Sequence, residues 1–323
     1  MAPTRRPGSN PTPGTRSSLR FVVHAHAHGR AGDRRRLKIV LAVTCAVLVL
    51  EVVGWWMTGS LALLADAGHL ATDAAAVVLA LGASYVATLS GGPRSTFGLH
   101  RAEILAALVN AVVLLGVCGY LVFAGVSRLG NPIDVDAGPM IAFASIGLVA
   151  NGVALVILRG SPTGSLNMRG AATEVFADLL GSVLAVAAGI VILVTGYDRA
   201  DSIATLAIAV LVLPRALLLL RDSAVVLLEI APAGLDLADV RQHLLDVPGV
   251  TDVHDLHAWT ITSGIPSLSA HVTVTDACLA ERGVGATLDE LCRCVADHFD
   301  VRHATFQVEP ASHRDHEDLG EVH

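Results

Sequence analysis

His69 and Asp73 stand four residues apart, and so do Glu174 and Asp178. Both pairs fall in long apolar runs, and a spacing of four puts the members of each pair on one helix face. Ionisable groups inside a membrane-length apolar helix are costly and mark function. One imidazole and three carboxylates on two facing helices make a four-ligand pocket for a divalent cation. A single polar group in such a helix is commonly structural, bonded to a neighbouring helix, but two matched pairs argue against that reading. Carboxylates buried without a cation repel one another, so at least one holds a proton when the pocket is empty. A metal needs ionised carboxylates and a neutral imidazole, so loading it expels protons. Such a site, opening to either side in turn, is expected to exchange metal for protons. Asp66, one turn before His69, supports two readings, an exit-path ligand or a helix-end cap.

The elements that must hold these residues are apolar runs over 38–57, 60–89, 102–129, 139–158, 170–195 and 202–220. Each approaches or reaches the roughly 20 residues that cross a hydrocarbon core about 30 Å thick. Asp73 lies about a dozen residues in from one loop and Asp178 about nine in from Arg169 on the opposite side, which brings both near mid-membrane. Basic residues set an orientation. Arg34, Arg35, Arg36 and Lys38 precede the first run, Arg94 and Arg101 follow the second, Arg159 and Arg169 flank the fourth loop, and Arg221 ends the sixth. The opposite loops are poor in base, so both termini are expected in the cytoplasm of a multi-pass cell-membrane protein.

Residues 1–36, rich in Pro, Gly, Ser and Arg and carrying His24, His26 and His28, read as a disordered basic tail. That histidine tract suits either weak metal capture or a solvated tail. The six runs occupy 37–222. Residues 223–310 turn polar and read as α-β-β-α-β, with helices over 235–247 and 287–299 and strands over 250–261, 268–275 and 304–309. That order suits a small α+β domain with helices on one face of a sheet. Residues 311–323 read as a second disordered tail.

Composition agrees with this division. The 323 residues are 53% hydrophobic and 16% charged, with net charge −7, whereas soluble proteins average about 25% charged. Too few charges remain to cover a soluble body of this size, and a nucleic-acid binder is disfavoured. Five cysteines, an odd number, argue against a disulfide framework; Cys292 and Cys294, two apart on a helix, diverge. An intramembrane metal enzyme would need a His-Glu-x-x-His helix or a membrane serine with a base, and neither is present. A metal-gated channel remains the other class, separable by its indifference to a pH gradient. Glu103 and Asn110 on the third run suit packing or an access funnel.

Longer motifs add a resemblance. GSLALLADAGHLATD over 59–73, TFGLHRAEILAAL over 96–108 and NMRG over 167–170 closely resemble signatures of the cation diffusion facilitator family. So do DVHDLHAW over 252–259, SAHV over 269–272 and QVEP over 307–310. The resemblance spans about 35–310. It implies a six-helix carrier with a ferredoxin-like cytosolic domain, a homodimer, exporting zinc or a related ion against protons, with no organic cofactor. His69 and Asp73 carry over directly, whereas Glu174 stands where similar zinc carriers have histidine. An oxygen donor there moves the site toward harder cations, so zinc comes first and manganese, iron, cobalt and cadmium stay open. In the cytosolic domain, His254, His271 and Glu309, with His257 as a weaker candidate, are expected to hold regulatory metal; ordinary strand and surface roles remain open for these histidines.

Overall fold

The computed structural model describes residues 15–88, 96–160, 166–262, 264–301 and 303–312. Its elements run α1 (Thr15–Thr58), α2 (Leu61–Thr88), α3 (Ala102–Gly130), α4 (Ala137–Arg159), α5 (Leu166–Thr195), α6 (Arg199–Leu227), α7 (Leu237–Leu245), β1 (Val250–Thr260), β2 (Pro266–Val274), α8 (Asp276–Phe299) and β3 (His303–Pro310). Among the described residues, six helices are long and apolar enough to cross a membrane. The least apolar is α2, with a mean hydropathy of 1.4, and half of its span is buried. Its carboxylates and histidine are carried inside the protein, away from lipid.

The expected basic tail differs from what is seen. The last of its four prolines is Pro13, and α1 is helical from Thr15 onward; once proline stops removing backbone donors, the chain can propagate a helix. The side chains of His24, His26 and His28 lie outside the described residues, as do 1–14 and 313–323.

The chain forms two compact units. One comprises Met1–Ala74 with Gly116–Leu213, the other Ala75–Leu115 with Pro214–His323. Helices α2, α3 and α6 each contribute to both.

In the first unit, the Gly59 turn (φ 71°) reverses the chain between α1 and α2, a conformation that glycine adopts without a Cβ penalty. The start of α2 is fixed from another helix. Asp201, in the first turn of α6, accepts from Ser60 Oγ (2.5 Å), Leu61 N (2.7 Å) and Ala62 N (3.1 Å), and Ser60 Oγ accepts from Leu63 N (3.2 Å). Orphan N–H groups and the positive end of the helix dipole are thus met by a buried carboxylate. Arg128 donates to Gly59 O at 2.6 Å and lies 4.0 Å from Asp201. This anchorage sets the height of every polar residue along α2. Near the other end of the spans, Val40, Leu155, Leu158, Met168 and Val175 pack α1, α4 and α5 together.

In the second unit, β1 pairs antiparallel with β2, and β2 parallel with β3. The parallel pair needs a crossover, and α8 supplies it. Val240, Leu244, Leu291 and Val295 from α7 and α8 pack on Leu268, Val272 and other apolar residues of one sheet face. This is the expected α-β-β-α-β order. Helix α8 starts eleven residues earlier than its expected 287, because it continues through a kink at Gly283 (φ 78°). The same unit contains the Arg101–Glu229 ion pair (2.6 Å) and a hydrogen bond from Thr262 Oγ1 to Glu103 (2.9 Å). Glu103 therefore has a structural partner, and Asn110 is buried.

Candidate metal centres

His69 and Asp73 lie on the buried face of α2, and Asp178 reaches them from α5. His69 Nε2 is 3.3 Å from Asp178 Oδ1 and 3.7 Å from Asp73 Oδ2. One donor atom from each residue lies within 4.8 Å of the others. Tetrahedral zinc with bonds of about 2.0–2.1 Å sets its donors roughly 3.3 Å apart, so the three are already close to coordination spacing. His69 and Asp178 are 4% and 3% exposed, and Asp73 is half-buried. Burial deprives these groups of water, so a cation or protons must balance them.

Glu174 is not brought into this cluster. It is exposed on α5, one turn from Asp178, leaving three of the four expected ligands assembled. A shared helix face ensures a common direction and does not ensure equal depth in the bundle.

Spacing does not lead to what surrounds the cluster. Asp66 is 1% exposed, and Ser182 Oγ lies 3.2 Å from its Oδ2 and 3.1 Å from the Asp178 carbonyl. Asn151 Nδ2 donates to the same hydroxyl at 3.3 Å. Asp66 does not cap α2, since Ser60 and Asp201 do. Glu51 of α1 is fully buried beside Asp66. Its signal was available, an acidic residue within the apolar run 38–57, but no second ionisable residue at a spacing of four drew attention to it.

The second centre lies on the sheet face opposite α7 and α8. His254 pairs with His271 across β1 and β2, and Glu309 enters from β3. His254 Nε2 is 3.5 Å from Glu309 Oε2, and His271 Nδ1 is 3.0 Å from Glu309 Oε1. The three again lie within 4.8 Å of one another. Glu309 is 2% exposed and accepts from Gln307 Nε2 at 2.7 Å. Asp252, 3.2 Å from His254 Nδ1, is a group not singled out by pattern; a carboxylate there orients the ring and directs the other nitrogen toward a metal. A bulge after His254 places Asp255 at φ 46°. His257 is exposed beyond the bulge, outside the cluster, and lines a cavity of about 1030 Å³ with Trp259 and Arg101.

All five cysteines are free. Burial, with Asp246, Asp297 and Glu290 nearby, pushes the Cys294 thiol up, which keeps it protonated and a poor ligand.

A family model for the cation efflux transmembrane domain matches residues 37–228, and one for the cytoplasmic domain of cation efflux proteins matches 232–311. The chain is 43% identical over 288 residues to the metal cation efflux system protein CzcD of Cupriavidus metallidurans, covering 89% of this chain and 90% of that protein. It is 38% identical over 295 residues to the zinc transporter ZitB of Escherichia coli, covering 89% and 93%. It is 35% identical over 292 residues to a cadmium, cobalt and zinc/H(+)-K(+) antiporter of Bacillus velezensis, covering 90% and 93%.

Proposed function

The chain belongs to the cation diffusion facilitator family, the cation efflux proteins, and on that premise we propose that it exports divalent metal, zinc first, by exchange for protons at His69, Asp73 and Asp178. The observation that carries this reading is the convergence of the three donors, from two membrane spans, at near-coordination distances. The names of the relatives, which include a zinc transporter and a zinc/H(+)-K(+) antiporter, support the class of ion and the exchange.

In each cycle the ion reaches the pocket from the cytoplasm, displaces protons from the carboxylates and imidazole, and is bound by one nitrogen and several oxygens. Glu174, one turn from Asp178 on α5, completes the shell by turning inward as the ion enters. The pocket then opens to the other face, where returning protons compete with the metal and release it. Both termini lie in the cytoplasm, and the protein works as a homodimer. The cytoplasmic cluster of His254, His271 and Glu309 binds the same metal and favours transport when the ion is abundant.

Reconstitution tests this. In proteoliposomes with an acidic lumen, zinc enters through molecules whose cytoplasmic side faces out, and the uptake stops when an ionophore collapses the pH gradient. Uptake indifferent to the gradient would indicate a channel. The same assay with manganese, iron, cobalt and cadmium ranks the ions and decides whether the oxygen-rich shell prefers a harder cation than zinc.

A further inference from the structure

Glu51 is fully buried in α1, and neither of its carboxylate oxygens has a hydrogen-bond donor. Its neighbour is Asp66 of α2, and two buried carboxylates this close repel one another unless a proton or a cation lies between them. Two glycines make room for the pair. A Cβ on Gly147 of α4 would stand 3.0 Å from Glu51 Oε1 and 3.6 Å from Ser182 Oγ, and one on Gly181 of α5 would stand 2.6 Å from Asp66 Oδ1. Four helices thus converge on one buried polar cluster, and the two glycines let the carboxylate oxygens approach the backbone of α4 and α5 closely. Its donors are two carboxylates and a hydroxyl, all oxygen, with Asn151 steadying the hydroxyl.

Asp66 precedes His69 by three residues, about 4.5 Å along the axis toward the Gly59 end of α2. Ser182 joins the two places, contacting both Asp66 and the Asp178 carbonyl. We propose that Glu51, Asp66 and Ser182 form a second, oxygen-only cation station, which receives the divalent ion from the His69–Asp73–Asp178 cluster and passes it toward the Gly59 end. This rests on the transport reading above and adds a step to it. Oxygen donors hold a borderline ion such as zinc less firmly than a set containing imidazole. A station of this kind takes the ion up only after the first site opens toward it, and lets it leave. The buried carboxylates also supply charge along an interval that would otherwise expose the ion to apolar surroundings.

The test is Glu51→Gln in the full-length protein in proteoliposomes, with zinc and cadmium as the transported probes. Maximal zinc uptake is expected to fall roughly 10- to 100-fold, with the half-saturating zinc concentration unchanged because the loading site is intact. The loss is expected to be smaller for cadmium, a softer ion less dependent on oxygen. Gly147→Ala, whose methyl displaces the Glu51 carboxylate, should show the same split, and it decides the matter if Glu51→Gln fails to assemble. Wild-type kinetics in whichever variants assemble would overturn the proposal. So would a parallel rise in half-saturation, which would make Glu51 a support of the first site. Equal losses for both metals, reversed by a steeper proton gradient, would mean that the pair carries a proton and no metal. If the wild-type protein itself shows no gradient-driven uptake, the transport reading fails; if it transports and Glu51→Gln behaves identically, only this station fails.

Discussion

His69 and Asp73 were legible because four residues is one helical turn and because ionisable groups are rare in an apolar run. Asp178 was legible for the same reason, and its 3.3 Å approach to His69 joins two spans that no local pattern could pair. What could not be read was depth. Glu174 shares a face with Asp178, yet it is exposed, and the fully buried Glu51 has no partner at the telling spacing. Replacing Asp73 or Asp178 by alanine is expected to lower proton-driven zinc uptake by at least the roughly 10- to 100-fold that even outer-shell losses cost, while size-exclusion profiles remain those of the wild type. Full activity in either variant would remove that residue from the site. Glu174→His is expected to raise the ratio of zinc to manganese transport, since imidazole favours zinc over harder cations. An unchanged ratio would show that this position does not select the ion.

At the scale of elements, hydropathy places the six spans and alternation places the three strands, but the ends depend on contacts far along the chain. Asp201 lies 140 residues from Leu61 and still caps it; nothing near residue 60 announces that partner. Gly283 and Gly285 punctuate the sequence like a loop, and the chain bends at Gly283 before resuming as helix. The cap carries its own expectation. Asp201→Ala removes the acceptor from two backbone N–H groups and the Ser60 hydroxyl, which should cost about 1–2 kcal/mol for the cap alone. A lowered apparent melting temperature in detergent, together with slower zinc uptake, is the expected result. A drop in stability with unaltered uptake would show that the start of α2 need not be fixed for His69 and Asp73 to work.

For the whole molecule, the two centres answer to different conditions. On the transport reading proposed above, the membrane centre lies between helices that rearrange for the ion to pass, so it cannot also serve as a permanent clamp. The cytoplasmic centre draws one ligand from each of the three strands, so an ion there ties the whole sheet together and its binding energy becomes stability of that unit. At metal concentrations 100-fold above the dissociation constant, that amounts to about 2.7 kcal/mol. Zinc should therefore raise the apparent melting temperature of the full-length protein in detergent. Asp178→Ala, which impairs the membrane centre, should retain most of the rise, whereas His271→Ala should lose it. Acidification should remove it from the wild type, since a protonated imidazole cannot ligate. If His271→Ala melts like the wild type with and without zinc, the three-stranded cluster is a hydrogen-bonded structural feature, and the proposed control of transport by metal at this cluster fails.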